Sequence, residues 1–142
     1  MKTISCAIAV AFCAVAHAVD VTTDTTVTLT ADSSEDYVVA ENVTLTFEVT
    51  GSTARIHFGT ISGLGKVKKT GTGPLILSGN NTFEGGFEQA EGTVRADSAT
   101  AFGTGDVSCS VPATGKQLIF NVANAVFLNN FNMTGAGTSR SS

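Results

Sequence analysis

From Gly71 to Gly86 the chain reads Gly71-Thr72-Gly73-Pro74-Leu75-Ile76-Leu77-Ser78-Gly79-Asn80-Asn81-Thr82-Phe83-Glu84-Gly85-Gly86. A three-residue apolar run sits between glycines, with an Asn pair closing it. Gly59, Gly63, Gly65 and Gly92 continue the spacing on either side. Glycines this close together do not suit the hairpins of an ordinary β-sandwich. They suit tight corners, where the backbone needs a positive φ. Leu75 and Leu77 are expected to point into a core and Ile76 away from it, because successive strand side chains alternate. Thr93-Val94-Arg95 is expected to begin a further strand stacked on this one.

Outward from that stretch, period-two patterning dominates. Val43, Leu45, Phe47 and Val49 share one face of a strand, and Asn42, Thr44, Thr46, Glu48 and Thr50 the other. The same rhythm places Ile56 and Phe58 inward and His57 outward, and aligns Leu118, Phe120 and Val122. Threonine and valine favour a pleated surface because their branched Cβ restricts χ1. Val27-Thr28-Leu29-Thr30 recurs as Val43-Thr44-Leu45-Thr46, 16 residues later. Repeats of roughly 20 residues, each one short strand plus turns, are the signature of stacked solenoid coils. No stripe of 3.6-residue period follows Ala18. The expected class is all-β, a parallel β-solenoid over 19–134 with about six coils. Its N-terminal cap would be the polar stretch Val19 to Thr26. Phe127, Leu128, Phe131 and Met133 would end the stack uncapped.

Residues Ile61 to Val94 resemble the autotransporter-associated β-strand repeat, also called the passenger-associated transport repeat. The matching residues are Gly63-Leu64-Gly65, Lys69-Thr70-Gly71-Thr72-Gly73-Pro74-Leu75-Ile76-Leu77-Ser78-Gly79, Asn80-Asn81-Thr82-Phe83-Glu84-Gly85-Gly86 and Gly92-Thr93-Val94. The chain departs from the pattern at Pro74, which replaces a strand Thr, at Phe83, which replaces Tyr, and at Glu84 and Phe87, which replace threonines. One copy, at about 61–94, covers a quarter of the chain. The resemblance implies a right-handed parallel β-helix of the kind found in exported bacterial passengers. The expected partners are an outer-membrane translocator and, because the last coil is uncapped, further repeats or self-association.

The first residues are those of an export signal. Lys2 precedes an apolar run from Ile4 to Ala16, and Ala16-His17-Ala18 supplies the small residues that signal peptidase reads. The run is shorter than the roughly 20 residues a spanning helix needs. An anchor helix is the alternative, and a lipoprotein signal fits less well because Cys13 follows bulky Phe12. The expected signal peptide is thus 1–18, the protein is expected to be secreted or surface-associated, and 135–142 is expected to be a disordered tail. The net charge of −4 becomes one unit more negative once Lys2 leaves. An acidic chain repels phosphate backbones, so no nucleic-acid partner is expected. Two of the three cysteines lie in the signal, leaving Cys109 without a disulfide partner. Its place in Val107-Ser108-Cys109-Ser110-Val111 alternates with serine and puts it inward, as a small hydrophobe.

Chemistry needs converging groups, and the sequence offers none. His57 and Cys109 cannot compose a zinc set, and no nucleophile-elbow pattern surrounds any serine. Glu35-Asp36 and Glu84, Glu88, Glu91 are the acidic clusters. They lack the Lys, Arg or His that polysaccharide-cleaving β-helix enzymes set beside their carboxylates. Gly103-Thr104-Gly105-Asp106 fails the spacing of a calcium nonapeptide. Asn42, Asn80 and Asn132 begin glycosylation sequons, which lapse in a bacterial protein. The expected catalytic, metal-binding and cofactor-binding residues are therefore none, the expected cofactors none, and no small-molecule substrate is expected. The expected role is structural: an exported passenger segment that supports folding, secretion or display. The rivals are an adhesin-like carbohydrate-binding surface and a β-helix enzyme acting on polysaccharide.

Overall fold

The computed structural model describes residues 17–110 and 116–134. Every strand pairing in it is parallel, and the described residues contain no helix. The chain winds as a β-solenoid whose three faces are three sheets. The first holds β1 (Val19–Val21), β3 (Tyr37–Val39) and β6 (Ile61–Gly63). The second stacks β2 (Thr25–Thr28), β4 (Thr44–Glu48), β7 (Lys66–Thr70), β9 (Phe87–Gln89), β11 (Val107–Ser110) and β13 (Phe131–Thr134). The third stacks β5 (Arg55–His57), β8 (Leu75–Leu77), β10 (Thr93–Ala96) and β12 (Gln117–Phe120). The six-stranded sheet marks the six coils expected from the repeat length.

Register fixes what lies above what. Val67 pairs with Phe87 and Phe87 with Val107, while Leu75 pairs with Val94. The strand beginning at Thr93 is thus stacked on the Leu75 strand, as expected. The repeated tetrapeptide misleads, however. Val27 lies opposite Phe47 rather than Val43, because corner lengths differ between coils and backbone pairing, not sequence identity, sets the stack. Val19 to Thr26 is also no cap. It belongs to β1 and to the start of β2, which pair with β3 and β4 as an ordinary first coil, and Val21 is buried.

One continuous apolar lumen fills the stack, running from Val21 through Leu45, Phe47, Ile61, Leu75, Leu77, Phe83, Phe87 and Val94 to Phe102 and Val107. Leu75 and Leu77 point inward and are fully buried. Ile76 departs from expectation: its outward face is only 7 % exposed. It lies in register between Ile56 and Arg95, and in the middle of a stack even the outer row is flanked on both sides. Thr72, by contrast, is exposed.

Two glycines show why this stack tolerates nothing larger at its corners. A Cβ on Gly79 would stand 2.0 Å from the carbonyl oxygen of Gly59 in the coil before, inside any permitted contact. Gly86 turns the corner into β9 at φ 92°, in the left-handed region that favours glycine. At a third corner a side chain replaces the ladder. Asn81, 1 % exposed, accepts the Ile61 amide through Oδ1 at 2.9 Å and donates through Nδ2 to Ala101 O at 2.8 Å. The coil therefore needs no strand there, because the Asn amide joins the coils on both sides.

Candidate functional surface

The phase of β5 reverses the expected reading of His57. Its pairing with β8 places His57 beside Leu77, and both are fully buried, while Phe58 is 54 % exposed. A three-residue strand is too short for its own apolar pattern to set its phase; the neighbour's ladder does. His57 therefore lies in the lumen of the second coil. Its ring centroid is 4.8 Å from that of Phe47 and 5.7 Å from that of Tyr37. One ring comes from each sheet. Neither imidazole nitrogen has a hydrogen-bond partner. Burial pushes its pKa down to about 4, against a smaller opposing pull from Asp36.

Cys109 is buried, as expected, at 2 % exposure. Its Sγ lies 3.3 Å from Gln89 Oε1, and burial raises the thiol pKa while Lys116 opposes the rise. This is the opposite of an activated nucleophile. Gln89 donates through Nε2 to Gly92 O at 2.7 Å and to Gln117 O at 3.0 Å. One column of the lumen is thus polar, with Lys69, Gln89 and Cys109 paired in sequence.

Lys69 is the buried cation that sequence reasoning missed. Its side chain is fully covered, and Nζ donates to Thr70 O at 2.7 Å, Gly71 O at 2.6 Å and Glu91 O at 3.3 Å. Burial pulls its pKa down to about 8; the charges of Glu91 and Glu48 oppose that pull. Three carbonyls exhaust the three ammonium donors, so the lysine pins a corner. The signal was a lysine one residue before a Thr-Gly-Thr-Gly corner, where carbonyls converge.

The acidic clusters do not converge. Asp36 Oδ1 accepts the Thr60 amide, and Asp24 and Asp32 likewise accept Thr44 and Ile56 amides from the following coil. These aspartates carry the inter-coil ladder past the ends of the backbone pairing. Glu91 accepts the Gly71 amide at 3.2 Å. Glu35 and Glu84 are exposed. Glu88 lies 3.1 Å from Lys68 and 3.5 Å from Lys66. Partial burial works against its ionisation, but hydrogen bonds and charge from Lys68 and Lys66 hold its pKa below the usual value. Gly103 and Gly105 instead receive the Asn129 amide through their carbonyls. Among the described residues no three His, Cys, Asp or Glu side chains could hold a metal ion together.

What remains is the outer face of the second sheet. Thr26, Thr46, Lys68, Glu88, Ser108 and Asn132 follow one another across it in register. A concave groove of about 460 Å³ opens there between Asp24 and Glu88. Threonine hydroxyls line one half, and Lys66 and Lys68 the other.

A three-sided stack of parallel coils with a ladder-like polar face defines an architectural class, the β-solenoid. Within it, 90 residues of the chain are 37 % identical to part of the adhesin BmaC autotransporter of Brucella suis biovar 1 (strain 1330). The match covers 63 % of this chain and 2 % of that protein. No family model matches the chain, and no solved structure matches it.

Proposed function

We propose that the chain is an exported, passenger-type β-solenoid segment whose work is structural and non-catalytic. The observation that carries this is the join of two facts: the second sheet pairs coil to coil from β2 to β13, and 63 % of the chain resembles part of an autotransporter adhesin. Supporting it, the buried polar side chains of Lys69, Asn81 and Gln89 bond from coil to coil. In this reading 1–18 is removed on export and the solenoid is displayed at a bacterial surface. The residues before His17 and after Thr134 lie outside the described residues, so the expected signal and tail rest on sequence alone.

A second reading, an adhesin-like surface for carbohydrate, is supported by the groove on the second sheet. Thr44, Thr46, Lys66 and Lys68 line it together with Asp24 and Glu88, a mixed set of donors and acceptors suited to a polyhydroxylated chain.

Expression in a bacterium with an outer membrane tests the first reading. Mass spectrometry of the exported protein should find Val19 at its N-terminus. Retention in the cytoplasm with Met1 intact overturns it. A glycan array tests the second, with loss of binding in Lys66→Ala/Lys68→Ala as the expected result.

A further inference from the structure

His57 is an uncompensated polar group in an otherwise matched core. Asn81 has two hydrogen-bond partners, and Gln89 and Lys69 have three each; His57 has none at either nitrogen. Its cover is thin on one side only. Below it lies β8, a full strand in register with β5. Above it, the first coil contributes no strand to the third sheet, only the single bridge Ser33 to His57. That strap is held by Ser33 N to Ile56 O at 2.9 Å, Phe58 N to Ser33 O at 2.7 Å and the Asp32 carboxylate on the Ile56 amide.

We propose that protonation of His57 opens the first two coils of the solenoid by releasing the Ala31–Asp36 strap, while the coils from β6 onward stay closed. A cation in this lumen would sit against Phe47 and Tyr37 with no acceptor within hydrogen-bond reach. Ring faces repay only part of the hydration it gives up. The charged and titratable groups around it are few. Asp32 and Asp36 lie on the strap side, with Asp36 the one whose charge favours the imidazolium. Tyr37 faces it from β3, Arg55 shares its strand, and Lys69 of β7 lies in register with Phe47 beneath. The aspartates are committed to backbone amides, so the strap must move before a carboxylate can reach the ring. Opening lets His57 regain water or Asp36.

The sign follows from the lowered pKa. The closed form binds its proton only near pH 4, whereas an exposed imidazole binds it near 6.5. Closure is therefore at full strength above about pH 6.5 and weakens as pH falls, about tenfold in the closed-to-open ratio per pH unit down to about 4.

Hydrogen exchange of the full chain between pH 7.5 and 4.5, corrected for intrinsic rates, tests this. Protection in Val19–Val49 and Arg55–Phe58 should fall about tenfold per unit below pH 6.5, with Phe87–Gln89 and Thr93–Ala96, which pair with no strand of the first two coils, unchanged. His57→Leu, which repeats the Leu77 beneath it, should remove the dependence. Because that variant could fail to fold, an NMR titration of the His57 ring in the unaltered protein stands beside it, with a midpoint near 4 expected. A midpoint near 6.5, a flat wild-type profile, a loss spread evenly over all coils, or the same loss in a folded His57→Leu protein would each overturn the proposal.

Discussion

The middle coils and the last ones are built from the same kinds of residue and end in different states. In β8 to β10, Leu75, Leu77, Phe87, Val94 and Ala96 are essentially inaccessible. In β12 and β13 the inward positions carry Leu118, Phe120, Phe131 and Met133, yet Leu118 and Phe131 are half-buried, Phe120 is 46 % exposed and Met133 58 %. Inward orientation is therefore not burial. A coil covers half of its neighbour's lumen, and among the described residues no strand pairs with the outer edge of β12 or β13. The Phe rings respond by covering one another. Phe120 lies 4.7 Å from Phe127, 5.4 Å from Phe131 and 6.1 Å from Phe102.

The comparison can be broken first by truncation. Phe87→Ala should cost roughly 3–5 kcal/mol, since the ring is enclosed on both sides of the stack. Phe131→Ala should cost less, about 2 kcal/mol, because that ring packs against the core but is only partly buried. Leu77→Ala belongs with the first, and exposed Thr72→Ala should cost little. Denaturant unfolding reads all four, and equal losses at Phe87 and Phe131 would dissolve the distinction between the regions.

A smaller effect sharpens it. Cys109→Ser buries a hydroxyl, which alone would be unfavourable. The Gln89 Oε1 that lies beside Sγ can accept from serine as well, so the loss should be about 1 kcal/mol rather than several. The native thiol should also label slowly with a soluble maleimide. Rapid labelling would mean that the lumen at β11 is already open.

Much of the architecture was legible in the sequence, and for physical reasons. Period-two runs such as Val43 to Thr50 are long enough to declare both strand and phase, and the glycine spacing from Gly59 to Gly92 declares corners too tight for side chains. Short strands were not legible in the same way. Arg55-Ile56-His57 takes its phase from Leu75-Ile76-Leu77, a partner 20 residues away, so the sequence reading turned His57 outward when it is inside. The polar column was equally hidden. Nothing in the type of Lys69 or Gln89 signals burial, and only the converging carbonyls of the corners make it tolerable.

The central claim is that each coil protects the one before it, and amide exchange at neutral pH on monomeric protein tests it most directly. The account predicts strongest protection in Lys66–Thr70, Leu75–Leu77 and Thr93–Ala96, with protection falling through Gln117–Phe120 to little in Phe131–Thr134. Protection in Phe131–Thr134 equal to that in Thr93–Ala96 would contradict it.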